Sequence, residues 1–145
     1  MGPAFRRRMA KWTLWITPVP MSEFCLSNEN AILDAWDEEM KRFAHDNLWY
    51  NRNKWLDLLA RFNWKYIIWE AKFLTDFGWT QNDQLLDALT TLREPVNDGV
   101  IKVAILDLVV YIESDWKMFS QITSEELRDK NIMSALVLRE FLYQI

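Results

Sequence analysis

The sequence predicts an all-α protein of six to seven helices packed around one hydrophobic central helix. Apolar residues recur at helical spacing along most of the chain, and the 4 Pro and 3 Gly fall between those runs. The segment from Val100 to Ile112 is apolar on nearly all sides, as a helix in the middle of a bundle would be. A length of 145 residues suits one core. Residues 1–145 are therefore read as a single helical domain, with residues 1–20 forming a basic N-terminal segment and a Pro spacer.

Taken in order, Phe5, Met9, Trp12 and Ile16 make a first stripe that stops before Pro18-Val19-Pro20. A second helix starts near Ser27 or Asn28, which can accept from free amides, and carries Leu33, Trp36, Met40 and Phe43. Trp55, Leu58, Leu59 and Phe62 give the i, i+3, i+4, i+7 pattern of a third, and Trp64, Ile68, Ala71 and Leu74 continue it to Gly78. Thr80 and Asp83 stand at capping-box spacing before Leu85, Leu86, Leu89 and Leu92, a helix that must end ahead of Pro95. Asn97 or Asp98 caps the central helix; its β-branched residues would also suit a buried strand, but few other segments would complete a sheet. Thr123 and Glu126 open the last helix, which runs through Leu138 to Leu142.

Composition narrows the function classes. Cys25 is the only cysteine, which removes internal disulfides and cysteine-based zinc sites. Arg6, Arg7, Arg8 and Lys11 all lie in the first 12 residues; beyond them 13 Lys and Arg face 21 Asp and Glu, a charge of −8. A body of that sign repels phosphate, so no nucleic-acid partner is expected, and the basic arm reads as a solvated terminus. No apolar run reaches the length of a membrane span, so a soluble protein without a transmembrane anchor is expected.

Chemistry-bearing patterns are sparse. His45 sits beside Asp46, but neighbouring helical residues point about 100° apart, which argues against a catalytic dyad. There is no Gly-rich phosphate loop and no histidine or cysteine pair at metal-binding spacing. The expectation is no enzyme, no metal and no cofactor. Nine Trp invite a binding role, yet Trp36, Trp55, Trp64 and Trp69 at helical spacing read as core.

Two segments carry a family resemblance. Ala31-Ile-Leu-Asp-Ala-Trp-Asp-Glu-Glu-Met-Lys-Arg-Phe43 resembles the third homology motif of the Bcl-2 family, with Ile32 at the leading apolar position and Asp37-Glu38 at the acidic pair. Val96 to Ser114 resembles the first homology motif running into the central helix: Asn97 and Gly99 match the usual Asn-Trp-Gly-Arg, while Asp98 replaces Trp and Val100 replaces Arg. The second homology motif is not recognisable. A short chain of this kind resembles the divergent viral members of iridoviral or poxviral type, the poxviral ones also in Trp116 and in the segment from Ile122 to Leu142.

The resemblance implies an apoptosis inhibitor in the host cytoplasm that sequesters pro-death helices in a hydrophobic groove. It assigns Met40, Phe43, Trp55, Leu59, Leu86, Val100 and Val103 to that groove, with Asn97 and Gly99 in the motif. Lys102 or Arg93 would replace the missing arginine opposite the partner's aspartate. Host pro-apoptotic helices are the implied partners, and a homodimer is compatible with this reading. The alternative is a poxviral-type antagonist of innate immune signalling that acts through a protein-binding face.

Overall fold

The computed structural model describes residues 3–74, 79–108 and 116–145, and they form an α/β molecule built on a five-stranded mixed sheet. The order along the chain is α1 (Pro3–Met9), a π-helical turn (Ala10–Leu14), α2 (Met21–Leu26), β1 (Ala31–Ile32), α3 (Asp37–Leu48), β2 (Leu58–Phe62), β3 (Lys65–Leu74), α4 (Trp79–Arg93), β4 (Val100–Leu108), α5 (Trp116–Ile122), a 3₁₀ turn (Glu125–Leu127), β5 (Asn131–Met133) and α6 (Ala135–Gln144). The strands lie in sequence order, β1-β2-β3 antiparallel and β3-β4-β5 parallel. Parallel strands need a long crossover, and α4 supplies the one between β3 and β4.

Helices cover both sheet faces. On one, Leu58, Phe62, Ile67, Trp69, Val103 and Ile105 pack against Ala10 and Leu14 near the N-terminus and Leu138 and Leu142 of α6. On the other, Leu59 and Ile68 meet Phe24, Met40, Ala44 and Leu48 of α2 and α3. Farther along that face Leu74, Ala104 and Leu106 meet Leu85, Ala88, Leu89 and Leu92 of α4. Burial of each such side chain contributes roughly 1.5–3 kcal/mol.

The all-α bundle is thereby corrected. Two of its expected helices are strands instead: the run from Trp55 continued through Leu74 holds β2 and β3, and the hydrophobic central helix is a central strand, β4, over Val100–Leu108. Val109 and Ile112 lie outside the described residues, as does Gly78. The physical reason is double coverage: a strand buried on both faces loses its apolar–polar alternation and becomes a continuous apolar run that satisfies helical spacing as well. The helix expected from Ser27 to Phe43 splits into β1 and α3, and the last one into a 3₁₀ turn, β5 and α6. The segment through Leu85, Leu89 and Leu92 is helical and ends at Arg93 ahead of Pro95.

Local chemistry sets the boundaries that matter for function. Asn63 and Trp64 both adopt positive φ (48° and 70°), the backbone a two-residue turn needs to join β2 to β3 with the right twist. The Asn63 amide N–H donates to Asn30 Oδ1 at 2.8 Å, which fixes the turn against the segment before β1. At the start of α3 the Glu39 carboxylate reaches back to accept from the Trp36 N–H at 3.1 Å, and Asp37, Glu38 and Glu39 suit the positive end of the helix.

The N-terminal segment is not a solvated arm. Arg6 is fully buried; it donates to Asp37 Oδ1 and to the Ala35 carbonyl, both at 2.9 Å. Buried Met9, Ala10 and Leu14 carry the segment into the core.

Candidate active site: a buried carboxylate–ammonium cluster

Strand alternation places Ile68, Glu70 and Lys72 of β3 on the sheet face covered by α3 and α4. Glu70 is almost wholly buried, and its Oε1 accepts from Lys72 Nζ at 2.7 Å. The register pairs Leu58 with Trp69; carried one residue beyond β2, it sets Asp57 opposite Glu70. Asp57 is itself buried, and its Oδ2 accepts from the Ala71 N–H at 2.9 Å. Glu70 of β3 and Asp57, just ahead of β2, thus bracket Ala71, with Lys72 on the same strand as Glu70.

A second layer comes from α4 and from the connection over residues 49–57. Asp87 of α4 binds Lys54 and Arg52, and stands 3.2 Å from Lys72 Nζ. Lys54 also binds Glu70, so one ammonium bridges the strand and helix carboxylates. Arg52 further donates to Thr91 Oγ1 at 2.6 Å and to the Asp87 carbonyl at 3.0 Å. Tyr50, buried beside them, lies 3.5 Å from Thr91 Oγ1, and its burial pushes the phenol up from its usual range.

Three cations and three carboxylates are therefore packed together, and Asp87, Lys72 and Arg52 are shifted by their neighbours. Burial opposes ionisation of Asp87, but hydrogen bonds from Lys54, Arg52 and Lys72 outweigh it and hold its carboxyl well below the usual carboxylate range. Burial likewise opposes the charge of Lys72; the hydrogen bond to Glu70 and the nearby carboxylates outweigh it and raise the ammonium above an ordinary lysine. Arg52 is raised in the same way, its desolvation exceeded by the bond to Asp87. Lys54 and Lys72 both reach Glu70 and Asp87, so the strand and helix carboxylates share their cations.

The sequence did not single out Asp57, Glu70, Lys72 or Asp87. The available signal was the Glu70-Ala71-Lys72 spacing, which faces one way on a strand, inside the β-prone run Tyr66-Ile67-Ile68-Trp69 after a turn-forming Asn63. Read as a helix, the same residues point about 200° apart and the pair disappears.

The expected groove residues lie elsewhere. Met40, Phe43, Leu59 and Val100 come together, but within the packed cluster under α2 and α3, where Phe43 contacts the rings of Phe24 and Tyr66. Val103 is buried on the opposite sheet face. Leu86 is half exposed on α4 and Trp55 half exposed beside Lys41. Arg93 pairs with Glu126 at 2.6 Å. The Lys102 ammonium donates to the Leu92 and Glu94 carbonyls, closing the C-terminal end of α4; burial and the nearby Lys130 lower its pKa. Asn97 donates to the Asn47 carbonyl at 2.9 Å, and Gly99 occupies a turn at φ 85° that favours glycine.

Two further expectations change. Of the four Trp read as core, Trp69 is buried, whereas Trp36, Trp55 and Trp64 are exposed. His45 and Asp46 do meet, Nδ1 to Oδ1 at 2.8 Å, because their exposed side chains bend toward each other.

A family model described as Tsp45I type II restriction enzyme matches residues 1–145. No curated protein and no solved structure matches the chain. The family match and the mixed sheet together overturn the Bcl-2 resemblance, whose segment from Ala31 to Phe43 is split between β1 and α3 and whose segment from Val96 holds the strand β4. With it fall the apoptosis inhibitor, the immune-signalling antagonist and the host helix partners. The family is one of DNA-cleaving enzymes, which also corrects the expectations of no enzyme and no nucleic-acid partner. Net charge misled because it averages the whole surface, while a phosphate meets the local field.

Proposed function

The chain belongs to the Tsp45I type II restriction enzyme family, and from that premise we propose that it hydrolyses phosphodiester bonds of DNA at the Asp57, Glu70 and Lys72 cluster. The observation that carries this reading is the pair of buried carboxylates, Glu70 on β3 and Asp57 immediately before β2, with a charged lysine two residues beyond Glu70.

Such a reaction in this family implies a divalent cation, and the donor set fits one. Asp57, Glu70 and Asp87 offer only oxygen, the hard donor that suits Mg²⁺ or Mn²⁺ rather than a thiolate-binding metal. Among the described residues no three His, Cys, Asp or Glu are arranged as a metal cage. A Mg²⁺ site takes one or two carboxylates and completes its shell with water and substrate phosphate. Asp57 and Glu70 would hold the ion, which when bound polarises the phosphate and lowers the pKa of water.

The chain's own groups do the rest. The Ala71 N–H fixes Asp57, so its carboxylate is oriented before substrate arrives. Lys72 remains protonated and acts as a donor, steadying negative charge as it builds on the phosphate oxygens. Lys54 shares Glu70 with Lys72, and Asp87 offers it a second anchor when Glu70 is taken up. Hydrolysis then forms a bond from water oxygen to phosphorus, breaks the ester bond, and leaves the water's proton on the departing oxygen.

The test is digestion of plasmid DNA with Mg²⁺, which should give discrete fragments. Glu70→Gln, matched to the wild type in circular dichroism, should give none. Wild-type digestion by Glu70→Gln would remove the assignment.

A further inference from the structure

Next to the charged cluster lies a hollow of about 340 Å³ between α3 and the 49–57 connection. Tyr50 and Arg52 belong to both, so the hollow opens directly beside the proposed cutting site. Its α3 wall is one helical face: Glu38, Lys41, Arg42 and His45 recur at i, i+3, i+4 and i+7. Asn51 and Asn53 form the facing wall.

The cations of this wall differ from those of the cluster. Arg52 is committed to Asp87, whereas Arg42 is exposed and has no ion-pair partner among the described residues. Lys41 donates to Asn53 Oδ1 at 2.6 Å and lies 5.1 Å from the centroid of the Trp55 ring. That contact orients an indole that is 50% exposed and stands two residues before Asp57. An uncommitted guanidinium and carboxamides lining the hollow, with an exposed indole held outside that lining by Lys41, make a surface that suits a nucleotide: phosphate to the cations, base to the ring.

We propose that this hollow is a second DNA subsite, in which Arg42 and Lys41 hold a backbone phosphate flanking the cut while Trp55 stacks on the adjacent base. The proposal rests on the nuclease reading for its ligand but on different residues for its contacts. An indole reaches a base face only where the stack opens, so the subsite favours DNA distorted at the cleavage point. Glu38, at the far end of the same wall, disfavours a phosphate there and places it toward Arg42.

The experiment is equilibrium binding of sheared plasmid duplex to metal-free protein over a range of KCl, beside Mg²⁺-dependent digestion. Arg42→Ala should weaken binding about ten- to hundredfold and reduce the slope of log affinity against log salt by about 0.9. Trp55→Ala should weaken it at least about fivefold without changing the slope, and Trp55→Phe should recover most of the loss. Thermal melting checks each fold, with Arg42→Gln as the replacement should Arg42→Ala melt early. Wild-type affinity and slope in the Arg42 and Trp55→Ala variants overturn the subsite, even where the wild type cuts DNA. Loss of binding in the variants of a wild type that binds but does not cut leaves the subsite standing and removes the assigned reaction. A wild type that neither binds nor cuts removes both.

Discussion

A carboxylate and an ammonium two residues apart on a strand share a face, and Glu70 and Lys72 use that geometry to meet Asp57 at the start of the neighbouring strand. Their environment makes the pair sensitive to neutralisation. Glu70→Gln should lower DNA cleavage by about a hundredfold or more, because preorganised charge at a developing phosphate charge has that scale. Lys72→Met should fall similarly in rate while retaining DNA binding, since Arg42 and Lys54 remain. Equal rates for wild type and Lys72→Met would place the group that steadies the phosphate charge elsewhere. Asp87 is tested through stability. Its folded pKa is depressed, so its contribution is present above the unfolded value of about 3.9 and is lost as pH falls through the folded value. The raised Lys72 has the opposite sign, contributing below about 10.4 and losing that contribution as pH rises through its folded value. Urea titrations of Asp87→Asn should therefore show a weaker acid-side dependence than the wild type. An unchanged acid limb would mean that other carboxylates dominate it.

At the scale of elements, what was legible in the sequence depended on how many faces an element buries. α4 could be read because it buries one stripe, Leu85, Leu89 and Leu92, and stops before Pro95. β3 and β4 could not, because helices cover both faces and Ile67, Ile68, Trp69, Ala71, Ala104 and Ile105 are all buried. The site vanished with them: Glu70, Lys72 and the facing Asp57 have meaning only as strand residues in register. The buried arginine of α1 was hidden for another reason, since nothing local in a run of three arginines marks the one that meets Asp37. Arg6→Ala should cost about 1.5–3 kcal/mol, the scale of a charge-assisted bond, with Asp37 regaining water because it is only partly covered. For a chain of this length that lowers Tm by about 3–12 °C. In β4, Ile105→Ala should cost about 2–5 kcal/mol through lost contacts and a cavity between sheet and α6. A change below about 1 kcal/mol in denaturant unfolding would remove β4 from the core.

For the whole molecule, the charged cluster links folding to metal. The ion pairs of Glu70 with Lys54 and Lys72 hold the sheet face together through protein groups alone, so the protein should remain folded in EDTA while losing cleavage. A divalent ion that occupies Asp57 and Glu70 binds the folded chain and not the dispersed ligands of the unfolded one. It therefore stabilises by RT ln(1 + [L]/Kd), about 1.4 kcal/mol when Mg²⁺ is tenfold above its Kd. For a chain of this length that is a rise in Tm of about 3–6 °C. The rise should saturate with Mg²⁺ and disappear in Glu70→Gln, because one of two ligands is then neutral. A similar rise in Glu70→Gln would mean that Mg²⁺ binds the acidic surface generally, and the buried carboxylates would lose their role as ligands.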